Sequence, residues 1–262
     1  MDATDPGLDL DMLLAMRPTT SRTGEAALRR IYERIDDHLL RHAGYVSFSG
    51  GKDSVLVLDL VRRVDPDVPV VFFDSGLEFP ETLDFVRSLA NEWELDLHRF
   101  AADPPLLDVL ADTGAWRHGE ADGAVPDLHH ILIEEPARCA HELLGPGELW
   151  GVRADESAGR RALYASMSDQ GAFTRLDGTA VYGPVWNWST ADVWAHTRRH
   201  DLPVNPVYAK MRSLGVPEPQ LRVSHILDGN HLDRGRLTWL RRGWPSVFEQ
   251  LADVLPRIRQ MT

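Results

Sequence analysis

The stretch YVSFSGGKDSVLVLDLVRRV, residues 45–64, decides the fold, because it changes from a strand pattern to a helix pattern across two glycines. The apolar run before the glycines predicts a short strand, and the apolar positions after residue 52 predict a mostly buried helix. Between them, SGGKDS (residues 49–54) combines a flexible backbone with a lysine and two hydroxyls. A plain glycine turn accounts for one glycine but not for the lysine and both serines, so the pattern favours an anion-binding turn.

Each position of this loop has a predicted task. Gly50 and Gly51 permit a tight turn and a close approach of backbone amides to an anion, while Lys52 supplies a point charge. A Walker A loop is excluded, because Val46 stands where its first glycine belongs and Asp53 stands where its Ser or Thr belongs. The predicted ligand-binding residues of the loop are Ser49, Gly50, Gly51, Lys52, Asp53 and Ser54.

The segments around the loop alternate between helix and strand patterns. Residues 24–42 predict an amphipathic helix, residues 68–74 (VPVVFFD) a buried strand, residues 79–93 a helix and residues 94–100 a third strand. This alternation predicts an α/β fold, with a doubly wound, mostly parallel sheet and helices on both faces. In such a sheet the loops that follow the strands share one edge, where ligands bind.

The remainder of the chain divides less regularly. An Asp-, Gly- and Pro-rich connection around a short helix is predicted over residues 101–126, and a helix broken at Pro136 is predicted over residues 128–144. ELWGVR and TAVYGPVW predict two more strands, and Ser189 is the predicted N-cap of a later helix. The predicted parts are a helical lead-in (1–43), a nucleotide-binding α/β domain (44–201) and a C-terminal helical appendage (202–262).

That appendage has two predicted parts. Residues 202–220 contain four prolines and are predicted to be irregular, and the stretch after residue 234 predicts two short helices. Arginines lie beside two tryptophans in WLRRGW (residues 239–244). Such a pattern can stack on nucleotides, but an amphipathic helix whose tryptophans pack on the domain is the favoured interpretation.

Composition limits the function classes. Among 262 residues Cys139 is the only cysteine, which excludes an internal disulfide and a four-cysteine metal cluster. A formal charge of −12 argues against non-specific nucleic-acid binding as the main task, although it leaves a local basic patch open. No apolar run approaches the roughly 20 residues of a membrane span, and the acidic start lacks a signal-peptide pattern. A cytoplasmic location without membrane contact is therefore predicted.

Four segments resemble a known family. SGGKDS after a strand resembles the pyrophosphate loop of the ATP pyrophosphatases, the adenine nucleotide α-hydrolase (PP-loop) superfamily. FFDSGLEFPET (residues 72–82) is similar to the D-T-G-x-x-F-P-E-T element of the phosphoadenylylsulfate reductase family, which sulfate adenylyltransferase small subunits share in variant form. Residues 151–163 (GVRADESAGRRAL) and 181–208 are similar to later segments of that family, the last of which ends in an N-P-x-Y turn.

The resemblance implies a function for particular residues. The loop would grip the β- and γ-phosphates of ATP while an acceptor attacks the α-phosphate, with Lys52, Asp53 and Arg153 as catalytic residues. Asp74, at the end of the second predicted strand, would hold Mg²⁺ or an adenosine hydroxyl. The other implied nucleotide-binding residues are Ser75, Gly76, Arg153 and Arg160. A small anionic acceptor and a separate partner subunit are also implied.

One departure from the family decides between the possible functions. Reductases of the family use a cysteine near the C-terminus, which this sequence lacks, and tend to have lost the loop lysine, which this sequence keeps. The first hypothesis is therefore cleavage of ATP between its α- and β-phosphates, with adenylyl transfer and release of pyrophosphate. The alternatives are a reductase-like protein that binds adenylylated sulfate, and an ATP-sensing subunit without turnover that acts through a partner.

Overall fold

The computed structural model of the chain describes residues 6–18, 21–113, 127, 130–167, 170–224, 226 and 234–260. Within these residues six strands form one sheet. They are β1 (Gly44–Ser47), β2 (Val70–Asp74), β3 (Leu97–Ala101), β4 (Gly147–Leu149), β5 (Ala172–Thr174) and β6 (Ala180–Tyr182). The strand order is β3-β2-β1-β4-β6-β5, and every neighbouring pair is parallel except the antiparallel pair of β5 and β6.

Helices cover both faces of this sheet. The α-helices of the described residues are α1 (Pro6–Leu14), α2 (Glu25–Arg41), α3 (Lys52–Arg62), α4 (Pro80–Glu92), α5 (Leu106–Thr113), α6 (Glu135–Leu144), α7 (Ala158–Ala165), α8 (Thr190–Arg199), α9 (Pro206–Ser213), α10 (Arg234–Gly243) and α11 (Pro245–Val254). None of them combines the length and the apolar character needed to cross a membrane.

Side-chain alternation in β1 separates the two faces. Val46 and the following Phe48 are buried against α2, α3, α4 and α8, whereas Tyr45 lies in a smaller cluster with Ala140 of α6 on the opposite face. Period-two alternation in a strand makes successive side chains point to opposite faces, so both must be covered. The predicted doubly wound α/β sheet is confirmed.

Two local predictions need correction, one stretch carried no prediction, and one prediction lies partly outside the described residues. α9 lies inside the segment predicted to be irregular, because Pro206 occupies the first helical turn, where a proline is tolerated, after the N-cap Asn205. α7 and the short edge strand β5 lie in a polar stretch that gave no periodic signal. Pro136 does not break the chain's helix but lies in the first turn of α6, after a π-helical turn, His130–Glu134. Part of the predicted 101–126 connection, residues 114–126, lies outside the described residues.

The C-terminal helices share a core with earlier elements. Trp194 of α8, Tyr208 of α9 and Phe248 of α11 belong to one buried cluster, together with Phe79 before α4. Trp244 is buried against Phe79, with ring centroids 4.4 Å apart, so the favoured packing of this tryptophan is confirmed. The boundary predicted near residue 202 stays a prediction, but residues on both sides of it pack together.

Candidate functional site

The predicted anion loop connects the end of β1 to the first turn of α3. Gly50 has φ +72°, a conformation that L side chains rarely adopt, and a Cβ there would lie 3.1 Å from Cγ2 of Val86. Gly51 is the N-cap of α3. The first amides of a helix have no intrahelical acceptor and carry the positive end of its dipole. The loop therefore places the first turn of α3 at the carboxyl edge of the sheet, and the binding of an anion there stays a prediction.

Both loop serines stabilise the turn itself. The Ser49 amide donates to Oγ of Ser54 at 3.2 Å, and the Ser54 hydroxyl donates to the carbonyl of Gly51 at 3.0 Å. The Gly51 amide in turn approaches Oγ of Ser49 at 3.4 Å. These bonds hold the loop in shape before any ligand binds, and a direct contact of either hydroxyl with a ligand stays a prediction.

Lys52 is buried at the start of α3. Its Nζ lies 2.9 Å from Oδ2 of Asp53 and 5.9 Å from the ring centroids of Trp194 and Tyr208. Burial opposes the charge, but attraction to the Asp53 carboxylate outweighs it and raises the pKa of Lys52. The ammonium is therefore a charged group held against the loop by a neighbouring carboxylate and two aromatic rings.

Arg153 is the second cation bound to Asp53. Its side chain is 1% exposed, and Nε donates to Oδ1 of Asp53 at 2.6 Å while Nη1 donates to the carbonyl of Trp188 at 3.0 Å. Burial alone would raise the pKa of Asp53, but Lys52 and Arg153 lower it below its usual value. The structure thus brings the three predicted catalytic residues together, with Asp53 joining the two cations.

This meeting follows from the topology. The chain leaves β1 toward β2 and β3 on one side and returns through β4 on the other, so β1 and β4 form the switch point of the sheet. Ligands of open α/β sheets bind at such a point, outside the carboxyl ends of the strands. Gly151, which follows β4, packs so closely that a Cβ would lie 2.9 Å from the carbonyl carbon of Asp53. The glycine allows the Arg153 segment to approach the loop.

Sequence reasoning missed the residues that hold the loop from the C-terminal side. Nδ2 of Asn205 donates to the carbonyl of Gly50 at 3.2 Å and approaches Oγ1 of Thr82 at 3.1 Å. The hydroxyl of Tyr208 accepts a hydrogen bond from the Lys52 amide at 3.0 Å. Both residues belong to the N-P-x-Y turn, which the sequence shows. The sequence does not show that this turn contacts Gly50 and Lys52.

The residues after β2 form a second corner of the site. Oδ1 of Asp74 accepts from the Gly76 amide at 2.7 Å, and Oδ2 accepts from Nε of Arg99 at 2.7 Å. Gly76 has φ +81°, and the Ser75 hydroxyl donates to Oε1 of Glu78 at 2.8 Å. Arg99 was not predicted, because a lone arginine in a strand pattern carries no signal.

Asp74 as it stands does not fit a magnesium ligand well. An amide and a guanidinium already engage its two oxygens. Over the described ranges, no group of three or more His, Cys, Asp or Glu side chains is arranged to hold a metal ion. The geometry favours Asp74 as the partner of Arg99, and a metal at this residue stays a prediction.

The remaining predicted arginine is more peripheral. Arg160 of α7 forms an ion pair with Glu156, and 39% of its side-chain surface is exposed. Glu156 also accepts a hydrogen bond from the Arg153 amide at 2.9 Å. Among the residues that the structure describes, Glu156 links Arg160 to Arg153, and binding of Arg160 to a ligand stays a prediction.

These features define a class of protein. A strand–Gly–Gly–helix loop lies at the switch point of a mostly parallel sheet, with two cations joined through the loop aspartate. It is an α/β nucleotide-binding fold of the PP-loop type. Residues 44–219 match the Phosphoadenosine phosphosulfate reductase domain family, and the chain belongs to that family.

Individual relatives agree with this assignment. The phosphoadenosine 5′-phosphosulfate reductase of Serratia proteamaculans is 30% identical over 62% of this chain and 64% of its own length. The adenosine 5′-phosphosulfate reductase of Pseudomonas aeruginosa is 29% identical over 81% of this chain and 76% of its own length. The chain thus spans just under two thirds of the Serratia enzyme and is similar to reductases of both names.

A solved structure is similar at the level of the fold. The phosphoadenylyl-sulfate reductase of Candida auris, solved as a phosphate complex, aligns with 73% of this chain and 92% of its own, with 21% identity and a TM-score of 0.49.

Proposed function

We propose that this chain binds an adenylylated sulfate, a nucleotide whose 5′-phosphate is joined to sulfate, at the switch point between β1 and β4. The observation that carries the proposal is the junction of Lys52, Asp53 and Arg153 beneath the first turn of α3. Lys52 and Arg153 bring two cations to the positive end of the helix dipole, where they face the carboxylates of Asp53 and of Asp155, whose Oδ2 lies 3.7 Å from Nη1 of Arg153. The dipole and the charged donors together favour an anionic ligand. Membership of a family that contains reductases of adenylylated sulfate supports the same ligand.

Reduction of that ligand by a cysteine of this sequence is not part of the proposal. Cys139, the only cysteine of the 262 residues, lies on α6, where its sulfur approaches Oε1 of Glu135 at 3.7 Å. The sulfur also lies 3.7 Å from Nη2 of Arg138, so both of these contacts are with neighbours on α6 and neither is with the anion loop. The proposed role is therefore recognition of the activated sulfate, with any electrons delivered by a separate thiol.

A second candidate is ATP cleavage between the α- and β-phosphates with adenylyl transfer to a small anionic acceptor. The complete SGGKDS loop, including Lys52, favours it. In that case Mg²⁺ would enter with the ATP phosphates, and a separate subunit would serve as partner. A third candidate, ATP binding without turnover, predicts tight ATP binding and no product.

Titration calorimetry on the full chain separates the candidates. We expect adenosine 5′-phosphosulfate to bind more tightly than ATP, with no pyrophosphate released from ATP in the presence of sulfate. The sequence contains two lysines, Lys52 and Lys210, and each is paired with a carboxylate beside a tryptophan. Lys52→Gln is expected to weaken binding by about tenfold or more, because a charged donor is lost at the site. The matched control Lys210→Gln is expected to leave affinity unchanged.

Three results would count against the proposal. Pyrophosphate release with any acceptor supports adenylyl transfer, and tighter binding of ATP without product supports the non-catalytic subunit. An equal loss of affinity in both lysine variants would show that Lys52 acts through stability and not at the ligand.

A further inference from the structure

The two side chains of the Asp74–Arg99 ion pair differ strongly in their exposure to solvent. The Asp74 side chain is 3% exposed, whereas that of Arg99 is 64% exposed, although the two are ion-paired through Nε and Nη2. Arg99 lies on β3, the edge strand, and reaches the carboxyl end of β2. Among the described residues, the Arg99 guanidinium forms its hydrogen bond and its ion pair with Asp74. A guanidinium has five N–H donors, so this pair leaves donors facing solvent at the ligand edge of the sheet.

The position of this pair follows from the strand order. Neighbouring strands lie about 4.8 Å apart, so the ends of β2 and β3 are about one and two spacings from the β1 loop. On the β4 side, the loop is packed against Gly151 and Arg153. A nucleotide whose 5′-phosphate occupies the loop therefore extends its ribose toward β2 and β3, where Arg99 lies.

The charge of the pair decides whether it would recognise a ribose with free hydroxyls or a phosphorylated ribose. A carboxylate alone accepts hydrogen bonds from ribose hydroxyls and repels a phosphate. Here Arg99 neutralises Asp74 and adds planar, charged donors, which suit the oxygens of a phosphate. In dinucleotide sites the same exchange, an arginine in place of a free acidic residue, accompanies a phosphorylated ribose.

We infer that Arg99 is a specificity-determining residue that selects nucleotides carrying a phosphate on the ribose, at the 2′ or the 3′ position. The inference rests on the proposed function, because it assumes that a 5′-nucleotide occupies the β1 loop. The buried Asp74 carboxylate holds the Arg99 guanidinium in position through their ion pair.

Calorimetry with three probes tests the inference on the full chain: AMP, adenosine 3′,5′-bisphosphate and adenosine 2′,5′-bisphosphate. We expect one bisphosphate to bind about 10- to 100-fold more tightly than AMP, the range of a charged hydrogen-bonded contact. The bisphosphate that shows the gain identifies the position. Arg99→Gln should reduce the gain to about threefold or less while the affinity for AMP stays the same, and Arg99→Lys should retain part of it.

Two controls keep the test decisive. Arg87→Gln removes an arginine of similar exposure, paired with Asp84 on the outside of α4, and should leave the gain intact. If Arg99→Gln destabilises the chain by leaving Asp74 buried and unpaired, the double variant Asp74→Asn/Arg99→Gln removes both charges and should lose the gain as well.

The outcomes separate the inference from the proposed function. Equal binding of AMP and both bisphosphates by the unmodified chain, or a gain that survives in Arg99→Gln, overturns the role of Arg99 and leaves the proposed function in place. If none of the three nucleotides binds the unmodified chain, the proposed function fails and the inference fails with it.

Discussion

Arg153 and Asp53 are 100 residues apart in the chain, yet Nε of the arginine donates to Oδ1 of the aspartate at 2.6 Å. The bond joins the loop after β4 to the loop after β1 and fixes Asp53 between two cations. It makes Arg153 a positioning residue for the anion loop, since its guanidinium is buried against Asp53 and the Trp188 carbonyl.

Replacing Arg153 therefore has a predictable cost. Arg153→Ala leaves a buried carboxylate short of one partner, so we expect a loss of about 3–5 kcal/mol in the free energy of unfolding. Urea denaturation measures this loss. Arg160→Ala is the control, because its partly exposed pair with Glu156 is expected to contribute about 1 kcal/mol or less. Equal losses in the two variants would contradict the assigned role of Arg153.

Tyr208 should matter through its hydroxyl. Tyr208→Phe leaves the buried Lys52 amide without its acceptor, and we expect a loss of about 1–3 kcal/mol in stability together with weaker nucleotide binding. Tyr45→Phe is the matched control, because the Tyr45 hydroxyl is buried and has no hydrogen-bond partner among the described residues. Its removal is expected to be neutral or stabilising. Thermal unfolding and calorimetry compare the two, and a harmless Tyr208→Phe would rule out the capping role.

Glu81 should anchor the C-terminal helices. Its carboxylate accepts from Nζ of Lys210 at 2.6 Å and from Nε1 of Trp244 at 2.7 Å, so one side chain ties α9 and the residue before α11 to α4. Glu81→Ala is expected to lower the free energy of unfolding by about 1–3 kcal/mol in urea titrations. Asp84→Ala, which removes an exposed pair with Arg87 on the same helix, should cost about 0.5 kcal/mol or less. A similar cost for both variants would mean that Glu81 contributes only a surface charge.

Stability should fall on mild acidification. Burial and the neighbouring His42 lower the pKa of His38 from 6.5 to about 4, and burial and His200 lower the pKa of His196 to about 3. Between these values and pH 6.5 the unfolded chain binds more protons than the folded chain, so stability is complete above about pH 6.5 and decreases as the pH falls toward 4.

Each histidine should contribute about 3 kcal/mol between pH 6.5 and pH 4, and about 2 kcal/mol of this by pH 5, since one pKa unit corresponds to about 1.4 kcal/mol. Urea midpoints at pH 7.5 and pH 5 measure the effect in the unmodified chain and in His196→Gln. The variant should show a smaller difference between the two pH values. A pH dependence identical to that of the unmodified chain would show that His196 does not titrate as described.

The sequence alone determined the parallel sheet, the loop and the family. Apolar runs and their periods depend on neighbours in the chain, and SGGKDS needs only residues 49–54 to specify a turn into a helix. The sequence did not predict α7, β5 or α9. These elements are short, polar or begin with a proline, and they are stabilised by caps and by distant partners, so they show little hydrophobic periodicity.

Only the tertiary structure decided what the site residues contact. Arg153 was predicted to bind an anion, and Asp74 to bind Mg²⁺ or an adenosine hydroxyl, and both stay predictions. The structure adds that the crossover to β4 places Arg153 on Asp53, and that pairing of β2 with β3 places Asp74 beside Arg99. Asn205 and Tyr208 join the loop only because the packing of α9 on α4 brings them to Gly50 and to Lys52. Contacts between residues so distant along the chain depend on strand order and packing, which local sequence patterns do not encode.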